Sequence, residues 1–205
     1  MPRGRSSGRP RRRKTDVDRR PQLQLFVEGR RTETDYFKHL HSLYRARVII
    51  VVESFHGPPA QLVERAVASK RQQQYEEKHG GGKAYDEIWC VFDVDEHLWE
   101  DAVASAAEKG ISVAVSNPCF ELWLVLHHQE QAAYIDRKAA QRRAIELTGC
   151  GKSLTRPALD DLVAKYPAAA DRAKRLDLKH HDDGSPARSN PSSDVWRVVS
   201  RIVGT

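Results

Sequence analysis

Four short apolar runs, each separated from the next by a stretch with helical spacing, set the limits on what this chain can fold into. They are Gln22–Val27, Val48–Val52, Glu87–Phe92 and Ile111–Val115. The second is β-branched throughout, as suits a strand buried on both faces. Between the first two, Tyr36, Phe37, Leu40 and Leu43 recur at helical spacing and predict a helix over Thr32–Tyr44. Thr32-x-x-Asp35 resembles a capping box at its start. A polar helix is expected from Gly57-Pro58-Pro59 to about His79, ended by Gly80-Gly81-Gly82, and another over Leu98–Lys109 with Gly110 as its C-cap. Pro118 suits the first turn of a helix from Cys119 to about His128, which is apolar nearly all round and therefore expected to be buried. Strands separated by helices of this length imply an α/β fold: a mostly parallel sheet of about four strands with helices on its faces. We assign this domain to residues 21–130. Beyond it the signal is helical only, over Asp136–Leu147, Pro157–Tyr166, Pro167–Leu176 and Ser192–Ile202, with Lys179–Pro186 read as a loop. Residues 131–205 are thus expected to form a helical C-terminal extension packed on the domain.

The charge is unevenly placed. Residues 1–20 hold nine Lys or Arg and two Asp, a net +7 within a total of +6, so the rest of the chain carries −1. A basic tail rich in Gly, Ser and Pro is expected to be disordered in isolation. It either holds a phosphate backbone by sequence-independent electrostatics or is a solvated leader. No apolar run reaches the roughly 20 residues needed to cross a bilayer, and none follows the basic N-terminus as in a signal peptide. The expected setting is therefore the cytoplasm, with no membrane partner. Cys90, Cys119 and Cys150 are odd in number and far apart, which argues against a disulfide framework or a zinc site.

Two of the runs end in acids. Glu28 follows the first, and Asp93 and Asp95 follow the third. Ligands of open α/β sheets bind outside the carboxyl ends of the strands. Three carboxylates gathered there repel one another unless a cation sits among them, and oxygen-only ligands favour Mg²⁺ or Mn²⁺. Such a centre suits phosphoryl transfer, in which one ion polarises the phosphate and positions water and a second, if present, clamps the opposite face. Glu28 serves either as a ligand or as a general acid or base; the residues leave both roles open. Glu121 either complements the dipole of its helix or is a further site acid. Ser116 and Asn117 either cap that helix or bind phosphate, capping being the preferred reading. Arg30, Arg31 and Lys152 are candidate phosphate ligands, with solvated charge as the alternative. Glu33 is read as part of a solvated helix face rather than a metal ligand. His97 is a candidate proton carrier.

Several motifs, taken in order, resemble those of the RloB-like family: Phe26-Val27-Glu28-Gly29 followed by Thr32-Glu33-x-x-Tyr36-Phe37; Phe92-Asp93-Val94-Asp95-Glu96-His97; Ser116-Asn117-Pro118-Cys119-Phe120-Glu121-Leu122-Trp123; and Asn190-Pro191-Ser192-Ser193-Asp194-Val195. The family is similar to Toprim proteins, whose glutamate after the first strand and Asp-x-Asp after the third correspond to Glu28, Asp93 and Asp95. The resemblance implies a Toprim-like, Rossmann-like fold and a Mg²⁺-dependent nuclease acting on DNA or RNA. It further implies an effector of bacterial anti-phage defence, paired with an ABC or SMC-like ATPase. The sequence has no Gly-x-x-x-x-Gly-Lys-Ser/Thr loop, so that ATPase is expected to be encoded separately. The competing readings are a non-catalytic sensor or regulatory partner of an ATPase, and a metal-dependent transferase that uses Asp93 and Asp95 without Glu28.

Overall fold

The computed structural model describes residues 20–94 and 99–204. The tail before Arg20, Asp95–Leu98 and Thr205 lie outside the described residues, and the expectations for the tail, Asp95 and His97 fall with them.

Strand β1 (Gln22–Val27) lies between β2 (Ile49–Val52) and β3 (Glu87–Asp93), and β4 (Ser112–Asn117) continues the sheet beyond β3. These four strands are parallel. A fifth, β5 (Ser192–Ser193), closes the far edge antiparallel to β4. The sequence pattern had placed the start of a helix at Ser192. That helix, α8 (Val195–Val203), begins three residues later, because Ser193 joins the sheet. Its hydroxyl lies 3.0 Å from that of Ser116, and the Asp194 N–H donates to the Val115 carbonyl at 2.8 Å. Two serines carry no alternation by which a strand could be read.

The core splits by strand parity, as a pleated sheet requires. Leu23, Leu25 and Val27 of β1, with Trp89 and Val91 of β3, pack against α1 (Thr32–Tyr44), α4 (Phe120–His128) and the C-terminal helices. Phe26, with Ile88, Cys90 and Phe92, packs against α2 (Pro59–Lys78) and α3 (Trp99–Lys109). The opposite placement of α1 and α2 follows from topology. The chain steps from β1 outward to β2, then back across β1 to β3. Crossovers of one hand running in opposite directions put their helices on opposite faces. Buried Gln24 interrupts the apolar pattern of β1. Its side chain is satisfied by Ser69 and Gln73 of α2 and by Glu53.

The C-terminal residues share this core and complete the sheet. They form α5 (Arg137–Thr148), α6 (Arg156–Ala164), α7 (Tyr166–Asp182), β5 and α8. Helix α7 runs through Lys179-His180-His181, where the sequence pattern predicts a loop. Its buried face, Ala169, Ala173, Leu176 and His180, keeps helical spacing to the end. His180 is held there by its Nε2, 3.0 Å from the Pro191 carbonyl oxygen. The polar residues of this turn masked a helix whose inner face is intact. No described helix is long and apolar enough to cross a membrane.

Candidate functional site

The reversal of strand order between β2-β1 and β3-β4 makes the gap between β1 and β3 a switch point, where open α/β sheets hold ligands. Glu28 stands directly after β1, and Asp93 is the last residue of β3. One oxygen of Glu28, Oε2, accepts the Asp93 backbone N–H at 3.0 Å. Above them opens a cleft of about 560 Å³. Glu28, Glu33, Asp93 and Glu121 supply four carboxylates to its lining. Arg30, Arg31, Arg137 and Lys152 supply four cations. Arg30, Arg31 and Lys152 are exposed, whereas Asp93 and Glu33 are only 7% exposed. Asp93 and Glu33 thus lie deep, Glu28 and Glu121 are half-buried, and Arg30, Arg31 and Lys152 lie toward solvent.

Glu33 is not on a solvated face. It sits in the first turn of α1 and folds back over Gly29. A β-carbon at residue 29 would lie 1.7 Å from Glu33 Oε2, so glycine there leaves the room that the Glu33 carboxyl fills. Burial raises the Glu33 carboxyl to about 7, and the charges of Glu121 and Glu28 push the same way against backbone hydrogen bonds that lower it. Asp93 is raised well above the ordinary carboxylate range, first by burial and then by Glu33. Glu28 and Glu121 add to this, and Arg137 opposes it. Arg137 Nη1 bonds Asp93 Oδ2 at 3.1 Å.

The first turn of α1 is anchored otherwise than by the expected capping box. Thr32 makes no cap; its hydroxyl donates to the Lys152 carbonyl at 2.9 Å. That bond fixes the segment bearing Lys152 against the start of α1. The Thr34 hydroxyl donates to the Gly29 carbonyl at 3.1 Å, bracing the turn that carries Glu28.

Ser116 and Asn117 do not cap α4, which starts at Phe120 with Cys119 as its uncapped N-terminal flank. Pro118 therefore precedes the helix rather than forming its first turn. Ser116 is buried against Ser193, and Asn117 Nδ2 donates to the Arg188 carbonyl at 2.8 Å. Neither lines the cleft. Both attach the C-terminal segment to the sheet instead. Glu121, in the first turn of α4, does reach the cleft. Cys119 is fully buried, and its thiol is pushed up by burial and by the Glu121 and Asp93 charges, so it is held as the unreactive thiol.

Among the described residues, no three Asp, Glu, His or Cys side chains form a group arranged to hold a metal ion. The donor chemistry still suits one. It is oxygen-only, and burial and mutual repulsion raise two of its four acids. Sequence reasoning set Glu33 aside and passed over Arg137. For Glu33 a signal existed: an acid at the start of the helix that directly follows Glu28-Gly29. For Arg137 there was none, because it lies 44 residues from its partner. A sequence profile described as RloB-like protein matches residues 23–202. No curated protein and no solved structure matches the chain.

Proposed function

This chain belongs to the RloB-like family, and from that premise we propose that it is a Mg²⁺- or Mn²⁺-dependent nuclease that hydrolyses phosphodiester bonds of DNA or RNA. One observation carries the reading: four carboxylates, from the end of β1 and from α1, β3 and α4, line a single cleft at the switch point of the sheet, with exposed cations around them. An ion would be held by Glu28, Asp93 and Asp95, in keeping with a Toprim-like arrangement. When bound, it supplies polarisation of the phosphate and a more acidic water. Arg30, Arg31 and Lys152 then receive the flanking phosphates and set the register of the strand. Glu33, whose carboxyl is raised to about 7 in the metal-free chain, lines the same cleft and is the candidate proton donor to a departing oxygen. Glu121 adds negative charge on the α4 side of the cleft. The same family reading makes the chain an effector of bacterial anti-phage defence, working with an ABC or SMC-like ATPase.

The test is cleavage of single-stranded, duplex and structured RNA and DNA with Mg²⁺ or Mn²⁺ by the unaltered chain, Asp93→Ala and Asp95→Ala. Loss of turnover in both variants, at unchanged folding, is expected. Turnover that survives both removes the mechanism. A second reading, a non-catalytic sensor or regulatory module, is favoured by the ion pair that already occupies Asp93. It predicts nucleic-acid binding without added metal and no turnover under any of these conditions.

A further inference from the structure

Arg137 is the first residue of α5, at the end of a helix where the backbone dipole is positive. A cation is disfavoured there, and Lys138 follows it with no acid in the turn. The stability of α5 therefore does not account for an arginine at this position. The backbone beneath it is fixed, because the Asp136 side chain caps the helix by accepting the Ala139 N–H at 2.9 Å. The guanidinium reaches from this fixed root into the cleft. Nη1 bonds Asp93 Oδ2 at 3.1 Å, and Nη2 approaches the Val94 carbonyl at 3.4 Å. The pair is lopsided: the Asp93 side chain is 10% exposed and that of Arg137 is 42% exposed. One partner is locked at the end of β3, and the other can withdraw along a flexible stem.

We propose that Arg137 is the resident counter-ion of the cleft: it holds Asp93 until a divalent cation takes its place, and then passes to a phosphate of the nucleic acid. This rests on the reading of Asp93 as a metal ligand. Two cations cannot both lie against Asp93 Oδ2 without strong repulsion at that range, so ion and guanidinium compete for it. A displaced guanidinium beside a cleft that receives phosphates has a partner for which its planar fork is suited. Metal binding and nucleic-acid binding are thereby coupled through one side chain.

The experiment is a calorimetric titration of Mn²⁺ into the full chain without nucleic acid, comparing the unaltered protein with Arg137→Gln and Arg137→Lys. Arg137→Gln is expected to bind Mn²⁺ about ten-fold more tightly, a change of ~1.4 kcal/mol. Arg137→Lys, which keeps a like charge beside the ion, is expected to remain within about three-fold of the unaltered chain, well short of the ~1.4 kcal/mol change. In parallel, fluorescence anisotropy with labelled single-stranded oligonucleotides, using Ca²⁺ to limit turnover, is expected to show a metal-dependent gain in affinity that Arg137→Gln loses. Equal Mn²⁺ affinities for the unaltered chain and Arg137→Gln overturn the competition while leaving the metal reading intact. Absence of Mn²⁺ binding in all three proteins overturns both. A Ca²⁺-dependent gain that is the same in Arg137→Gln, or is missing from the unaltered chain, overturns the transfer to phosphate.

Discussion

Glu28 reaches across from β1 and accepts the backbone N–H of Asp93, the last residue of β3, at 3.0 Å. The two strand ends are thus tied through one of the candidate carboxylates, which fixes where that carboxylate points. Glu28→Gln keeps an acceptor oxygen and removes one of the crowded charges. The metal-free chain is then expected to be at least as stable as the original, with Mn²⁺ affinity reduced by about ten-fold or more as an anionic ligand is lost. Glu28→Ala removes the acceptor as well and is expected to cost about 1–2 kcal/mol of stability. Denaturant unfolding in chelator, with Mn²⁺ titration alongside, separates the two variants. Equal destabilisation by both would show that the hydrogen bond does not position the site.

Gly29 and Glu33 form a second tight pair. The Glu33 carboxylate occupies the space that a β-carbon at position 29 would need, with 1.7 Å to Oε2. Gly29→Ala is expected to expel Glu33 from the cleft and cost about 1–3 kcal/mol, in the range of an overpacked core site. Gly29→Ala combined with Glu33→Ala is expected to recover most of that loss, a non-additivity diagnostic of direct contact. Thermal unfolding of the two single variants and the double variant measures it. Additive losses would place the cost of the alanine elsewhere.

The contrast between Glu28 and Arg137 shows how far the sequence reaches into this site. Glu28 and Asp93 are legible because each ends a hydrophobic run, and the end of a parallel strand is also the place where the site forms. Apolar runs and β-branching likewise expose β1 to β4, and β1 and β3 bury all but their first residue. Strand β5 escapes because two buried serines, paired with Ser116 and Asn117 of β4, have no period. The last turn of α7 escapes because its outward residues are polar while only His180 marks the inner face. Glu33 escapes for a different reason. An acid on a helix with polar neighbours reads as part of a solvated face, and its position directly after Glu28-Gly29 is the one local sign that it turns back over the glycine instead. The pairing of Arg137 with Asp93 is a product of tertiary packing between α5 and the end of β3, which no nearby residue encodes.

The raised carboxyl of Glu33 has a definite sign in stability. In the folded chain this group titrates near 7, against an ordinary value of 4.5. Between those values the folded state binds the proton that the unfolded state has released, so stability falls as pH rises and levels off above the folded value. The full loss is about 3 kcal/mol, and Asp93, raised in the same direction, adds to it. Glu33→Gln cannot ionise and is expected to escape its share. In chelator, its stability relative to the unaltered chain is therefore expected to grow by about 2–3 kcal/mol between pH 5 and pH 8. Urea unfolding across that range measures the difference. A constant difference would mean that Glu33 titrates normally.

The C-terminal anchor offers a test of strain away from the cleft. Arg188 has a φ of 62°, a left-handed conformation disfavoured for any residue with a β-carbon. Its backbone and side chain are both held: the carbonyl accepts from Asn117 Nδ2 at 2.8 Å, and Nε donates to buried Asp194 Oδ2 at 2.6 Å. Arg197 approaches the other Asp194 oxygen at 3.1 Å, so Asp194 keeps one partner when Arg188 is replaced. Arg188→Ala is expected to cost about 2–3 kcal/mol, less than stripping a buried acid of its sole partner. Arg188→Gly loses the same ion pair but relieves the strained backbone, and is expected to be about 1 kcal/mol more stable than the alanine variant. The order of the two in denaturant unfolding decides the matter. If alanine equals or exceeds glycine, the turn at Arg188 is not maintained against a conformational cost, and the Asp194 ion pair alone accounts for the anchor.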